Sequence, residues 1–94
     1  MENQGTFGWA IAQMKEGKKV SRMGWNGKDQ WVCYMPETTI PADLVNERTK
    51  RFVADGVDLN VGGYFVMWTT KGVWQPGWLA SQADMLATDW GVVD

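Results

Sequence analysis

Two five-residue runs, Trp31-Val32-Cys33-Tyr34-Met35 and Tyr64-Phe65-Val66-Met67-Trp68, constrain this chain more than any other feature. Each has the length and the aromatic and β-branched content of a strand. Neither alternates apolar with polar residues, so each asks for cover on both faces of a sheet. The chain has 94 residues, enough for one domain spanning 1–94, and the short helices its pattern allows cannot hide two apolar faces. The second face therefore calls for another subunit, because an uncovered patch of this kind invites association.

The flanking sequence supplies the rest of an α+β unit. Thr6 can cap a helix that places Phe7, Ile11 and Met14 on one face and ends at Gly17, with Lys18 and Lys19 beside the negative end of its dipole. A strand over Lys18–Arg22, a turn over Met23–Asp29 built on Trp25-Asn26-Gly27, and a returning strand from Gln30 to Met35 form a hairpin. Between 37 and 62, Pro41, Leu44, Val45, Arg48, Arg51 and Phe52 permit a helix over 41–54, with an irregular excursion as the alternative. Val57–Val61, Tyr64–Thr70 and Val73–Gln75 then read as strands separated by Gly62-Gly63 and Lys71-Gly72. Ser81 can cap a helix over Gln82–Ala87 that turns Ala83, Leu86 and Ala87 to the core, and Asp89–Val93 reads as a closing strand. The sum is a mainly antiparallel sheet with an N-terminal helix and a short C-terminal helix, assembled as a homo-oligomer.

Composition narrows the chemistry. The chain has no histidine and one cysteine, Cys33. That removes Ser-His and Cys-His nucleophile pairs, a Cys/His zinc set and any internal disulfide. The aspartates lack calcium-loop spacing, which leaves a binder without metal or other cofactor. A formal charge of −2 argues against duplex nucleic acid, whose binding needs an extended basic surface. The charge is unevenly spread. Lys15, Lys18, Lys19, Arg22 and Lys28 lie early in the chain, whereas Asp55, Asp58, Asp84, Asp89 and Asp94 face only Lys71 later on, so a small phosphorylated ligand remains compatible. No apolar stretch suits a membrane span and no signal peptide is evident, so a soluble cytoplasmic protein is expected.

Of seven tryptophans, two sit in turn chemistry, in Gly24-Trp25-Asn26-Gly27 and Pro76-Gly77-Trp78-Leu79. An indole held on a turn offers a flat face at low ordering cost, although such rings can equally plug the end of a small core. In the first segment Arg22 brings a planar fork of donors, Asn26 an amide, Gly27 an open backbone and Trp25 a stacking surface, a set suited to a nucleotide. Asn26-Gly27 also suits a plain hairpin turn. In the second, Trp78 can meet Trp25 from a neighbouring loop or subunit, with Trp74 and Trp90 as walls and Asp89 nearby. Ser81 has the simpler role of helix cap. Asp84 and Asp89 can be asked to act as a hydrolytic carboxylate pair, but nothing in their spacing sets them across a bond.

These segments resemble the Thoeris anti-defence protein 2 family of phage and prophage proteins. Thr6-Phe7 through Lys18-Lys19-Val20 looks like the family's opening helix and strand. Arg22-Met23-Gly24-Trp25-Asn26-Gly27-Lys28 is similar to its Arg-x-Gly-Trp-Asn-Gly-Lys turn, and Trp78 through Trp90 to its C-terminal signature, with Gly77 where proline more usually precedes the tryptophan. The resemblance implies a homotetramer whose inter-subunit pockets sequester cyclic ADP-ribose isomers, and in some relatives cyclic dinucleotides, without turnover. The site expected from the two constellations comprises Arg22, Trp25, Asn26, Gly27, Trp74, Trp78, Ser81, Asp89 and Trp90. The reading from another class is a structural protein of a phage assembly whose tryptophans glue subunits together.

Overall fold

Thr6 sets the point at which the chain passes from strand to helix. In the computed structural model, which describes residues 2–25 and 29–94 and only the backbone of 2–4, strand β1 (Glu2–Gly5) runs into helix α1 (Phe7–Lys15). The Thr6 hydroxyl accepts the Trp9 N–H at 3.2 Å, satisfying one of the donors a helix start leaves open. The helix stops before Gly17, whose N–H donates to the Met14 carbonyl at 2.9 Å. The chain then forms β2 (Lys19–Arg22), β3 (Trp31–Met35) and β4 (Thr38–Ile40). A 3-10 turn (Ala42–Leu44) and a one-turn helix α2 (Glu47–Lys50) follow, and then β5 (Leu59–Val61), β6 (Tyr64–Trp68) and β7 (Trp74–Pro76). Helix α3 (Gln82–Leu86) and β8 (Trp90–Val93) complete the chain.

Six strands make one antiparallel sheet in the order β1-β8-β2-β3-β6-β7, while β4 and β5 form a separate two-stranded ribbon. The fold is therefore α+β with the expected N-terminal and C-terminal helices. Strand β1 has no apolar pattern and was not evident from the sequence; it forms by pairing Gly5 with Trp90 and Glu2 with Val92. The segment 41–54 is not one helix. Asn46 caps α2 through its side chain, Oδ1 accepting from Thr49 N at 2.9 Å, and divides it from the 3-10 turn. The insert continues from β3 and returns to β6, and the molecule is elongated, 45 × 26 × 25 Å.

Side-chain alternation gives the sheet two different faces. One carries Val20, Val32 and Trp90, which pack with Ala10 and Met14 of α1 in a core from which water is excluded. Phe7, Tyr34, Phe65, Met67 and Val92 close around it. On the other face Trp31 and Trp68 stack at 5.8 Å and 11°, Trp74 meets Trp31 edge-on at 6.4 Å, and Lys19 Nζ lies 5.2 Å over the Trp31 ring. Trp31, Cys33, Met35 and Tyr64 stay half-exposed there and Trp74 is 44% exposed. The non-alternating strands are thus explained: one face has its helix, and the other is covered mainly by its own indoles.

Gly77 fixes how the chain leaves this sheet. Its φ is +80°, and its N–H donates to the Phe65 carbonyl at 2.8 Å, alongside that of Trp78 at 3.0 Å. Proline at this position has neither the conformation nor the donor, so glycine rather than proline before Trp78 is a backbone requirement of this chain. Gly77→Pro should lower stability by about 2 kcal/mol or more, from the incompatible backbone and the lost hydrogen bond. Urea unfolding followed by circular dichroism measures it.

Candidate functional site

The site is built where the end of β2, the turn after it, and the stretch from α3 to β8 come together. Arg22 is the last residue of β2 and pairs in register with Trp90. Its guanidinium holds two carboxylates at once: Nη1 donates to Asp84 Oδ1 at 2.9 Å and Nε to Asp89 Oδ1 at 2.9 Å. All three side chains are largely withdrawn from solvent, at 19%, 13% and 29% exposure. Asp89 also draws the turn inward. Its Oδ2 accepts the Gly24 N–H at 2.8 Å, and its carbonyl accepts the Met23 N–H at 3.1 Å. A Cβ on Gly24 would lie 2.9 Å from that Oδ2, so the close approach needs glycine.

Asp84 ties the aromatic residues to the same group. Its Oδ1 accepts the Trp25 Nε1–H at 3.0 Å, its carbonyl accepts the Trp90 Nε1–H at 2.9 Å, and its Oδ2 accepts the Ser81 N–H at 3.1 Å. The Ser81 hydroxyl in turn accepts the Asp84 N–H at 3.1 Å, completing a capping box. This corrects the expected orientation of α3. Ala83 and Leu86 are exposed, Leu86 at 80%, and only Ala87 of the expected apolar trio packs against the core. The helix turns a carboxylate inward because two part-buried donors, an indole and a guanidinium, find their acceptor there.

Three indoles form the aromatic part. Trp25 lies 5.2 Å from Trp90 at 79° and 6.2 Å from Trp78 at 70°, and Trp78 lies 6.2 Å from Trp90 at 74°. Phe7 and Phe65 brace the group from beneath, Phe7 at 5.4 Å from Trp90 and Phe65 at 6.5 Å from Trp78. Edge-to-face contacts of this kind suit the ring quadrupoles and hold each plane against its neighbour. Trp90 is fully buried and serves as the pedestal, whereas Trp25 and Trp78 are half-exposed. At 70° the latter two form a corner, a geometry that offers one ring face and one ring edge side by side.

Of the residues singled out from the sequence, Arg22, Trp25, Trp78, Ser81, Asp89 and Trp90 converge here. Trp74 does not; it stands on the opposite face of the sheet with Trp31 and Trp68, because β7 pairs Trp74 with Trp68. Asn26 and Gly27 lie outside the described residues. Asp84, Gly24, Phe7 and Phe65 belong to the constellation and were not assigned to it from sequence. The spacing of Ser81 and Asp84 announces a capping box, but nothing local announces that the same carboxylate reaches Trp25. A hollow of about 370 Å³ lies elsewhere, in the insert among Val45, Lys50, Val53 and Val57. Among the described residues no cluster of three or more metal-ligating side chains occurs, and no helix is long and apolar enough to cross a membrane.

The network also fixes protonation. Hydrogen bonding to Asp89, then to Asp84, raises the Arg22 guanidinium further above its ordinary value. The Arg22 hydrogen bond does most to hold Asp89 below the usual carboxylate range, against an upward push from burial. For Asp84, burial is the largest single influence and pushes the carboxyl up, but hydrogen bonds from Trp25, Arg22 and Ser81 together outweigh it and leave the group depressed. Both carboxylates are ionised at neutral pH, and with Arg22 the trio sums to one negative charge.

A six-stranded antiparallel sheet backed by one helix, with an ion-paired carboxylate pair beneath a corner of indoles, defines a small α+β domain. The model of the Thoeris anti-defense 2-like domain matches residues 5–93, and the chain belongs to that family. It is similar to Thoeris anti-defense 2 of Bacillus phage SP01, with 28% identity over 93 residues, 99% of each chain.

Depressed carboxylates bind fewer protons in the folded than in the unfolded state. Their stabilisation is present above the unfolded pKa and is lost as pH falls through the lower folded values. The thermal midpoint should therefore drop as pH is lowered from about 5 to about 2.5. An Asp89→Asn variant, less stable at neutral pH, should show a shallower drop in a series of differential scanning calorimetry runs.

Proposed function

We propose that this protein is a non-catalytic anti-defence sponge, which binds a cyclic nucleotide immune signal of the cyclic ADP-ribose type and withholds it from its receptor. Cyclic dinucleotides are a second candidate class. The observation that carries the reading is the corner of Trp25 and Trp78, two half-exposed indoles held on a buried pedestal and a charged bracket. Stacking on such a ring is worth about 1–3 kcal/mol per base and is strongest when the ring is already in place. Membership of the Thoeris anti-defense 2-like family supports the same direction.

In this reading Trp25 and Trp78 receive the base, and Asp89, bonded to the Met23 and Gly24 backbone, receives a base edge or ribose hydroxyl. Arg22 and Asn26 contact ribose or phosphate. Arg22 does so from within a trio of net negative charge, so its donors orient a sugar hydroxyl more readily than they attract a free phosphate. The second indole face, with Trp31, Trp68 and Trp74, supports a homotetramer, since apolar rings of that extent favour a partner surface. Assembly, in the cytoplasm of the infected bacterium, brings further copies against the domain. Hydrolysis through Asp84 and Asp89 is disfavoured because both are held ionised, and such a mechanism needs one carboxyl kept protonated as the acid.

Isothermal titration with purified cyclic ADP-ribose isomers should show saturable binding, and ligand released by heating should be chemically unchanged. Trp25→Ala should leave the oligomer intact by sedimentation and weaken binding by at least tenfold, since it removes a stacking face worth about 1–3 kcal/mol and the placement it gives. An assembly that falls apart in that variant, with no nucleotide bound by the wild type, would favour a purely structural protein.

A further inference from the structure

Asp84 has no place among the ligand contacts proposed above, yet more of the site's hydrogen bonds end on it than on any other described residue. Its Oδ1 is shared by Arg22 Nη1 at 2.9 Å and Trp25 Nε1 at 3.0 Å. Its Oδ2 is held by the Ser81 N–H at 3.1 Å, so the carboxylate plane is fixed from its own helix. Its carbonyl holds Trp90, which is the ring beneath Trp25. A half-exposed indole on a turn can rotate about its two side-chain torsions. The Nε1–H bond to a carboxylate that is itself immobile removes that freedom, and the edge-on contact with Trp90 restrains the other side of the ring.

We propose that Asp84 is the positioning residue of the indole corner: its carboxylate, clamped by Arg22 and by the Ser81 backbone, sets the plane of Trp25 and thereby the face on which a flat guest stacks. The role is exerted through Trp25 and requires no contact between Asp84 and ligand. Arg22 has a corresponding part, holding Asp84 in place as well as Asp89. Ligand affinity then depends on a residue beneath the binding surface, because ordering Trp25 in advance removes an entropic cost that binding would otherwise meet. The affinity half of this statement rests on the sponge reading; the half about Trp25 does not.

The test uses the full chain and three variants, Asp84→Ala, Asp84→Asn and Ser81→Ala. The side-chain Nε1–H resonance of Trp25, assigned by its absence in Trp25→Phe, is followed by nitrogen-edited NMR and by hydrogen exchange. Asp84→Ala should shift that resonance and speed its exchange at least tenfold, while the Trp90 Nε1–H, bonded to a main-chain carbonyl, keeps its protection. Asp84→Asn retains an acceptor oxygen and should recover much of the Trp25 protection. Ser81→Ala loosens the helix cap and should move Trp25 less than Asp84→Ala does. Titration with cyclic ADP-ribose isomers should rank affinity in the same order, with at least a tenfold loss in Asp84→Ala and partial rescue in Asp84→Asn. Should Asp84→Ala fail to fold, Asp84→Leu, which fills the same space without an acceptor, takes its place in every comparison. An unchanged Trp25 signal in the alanine variant, or an asparagine variant no better protected than alanine, would overturn the proposal. If the wild type takes up none of these nucleotides, the sponge reading fails while the Trp25 signal still decides the role of Asp84.

Discussion

The ion-paired trio of Arg22, Asp84 and Asp89 is the constraint on which the indole corner of this molecule depends. Its members lie at the end of β2, within α3, and just before β8, so one guanidinium joins three segments that share no hydrogen-bonded helix. Desolvating one positive and two negative charges is costly unless each is paired and hydrogen-bonded. Here the remaining oxygens are taken by Gly24, Ser81 and Trp25, and no buried polar side-chain atom among the described residues lacks a partner. Removing one member would leave the others uncompensated, so the network resists gradual loosening and holds the turn and the indoles to one geometry.

The two faces of the sheet solve different problems. Against α1, the packing of Val20, Val32, Met14 and Trp90 supplies hydrophobic stabilisation and the platform for the indole corner. On the far face, Trp31, Trp68 and Trp74 pack on one another and leave apolar surface at the boundary with water. A domain this small buries proportionately little surface by itself, and its tryptophans are divided between both faces of the sheet. The separation of Trp74 from Trp78 by only a few residues of chain, yet onto opposite faces, follows from the sharp exit at Gly77. One indole cluster is tied to the charge network through Trp25, and the other is held by its own ring contacts.

Much of the fold was legible from the sequence because its signals are local. Thr6 and Ser81 cap the helices expected of them, and β2, β3, β6 and β8 fall where the β-branched and aromatic runs place them. Strand β1 was not legible, since Glu2–Gly5 has no apolar period and exists by pairing with β8. The inward face of α3 was misjudged for a related reason. Helical periodicity ranks Leu86 above Asp84 as a core residue, and only the donors arriving from Arg22 and Trp25 reverse that ranking. Trp74 and Trp90 are adjacent in character to Trp25 and Trp78 in the sequence, but no local pattern says which side of a sheet, or which depth, each will occupy.

What the sequence determined by itself is the repertoire: helices and strands set by caps, glycines and apolar runs, no histidine to build the usual nucleophile or metal sites, and indoles placed on turns. These follow from conformational preference and composition, which act over a few residues. What only the tertiary structure decided is which side chains meet. The Trp25–Asp84 and Arg22–Asp89 contacts join residues far apart in the chain. They arise because strand order brings β2 beside β8, and because a carboxylate withdrawn from water must be met by donors from wherever the fold supplies them.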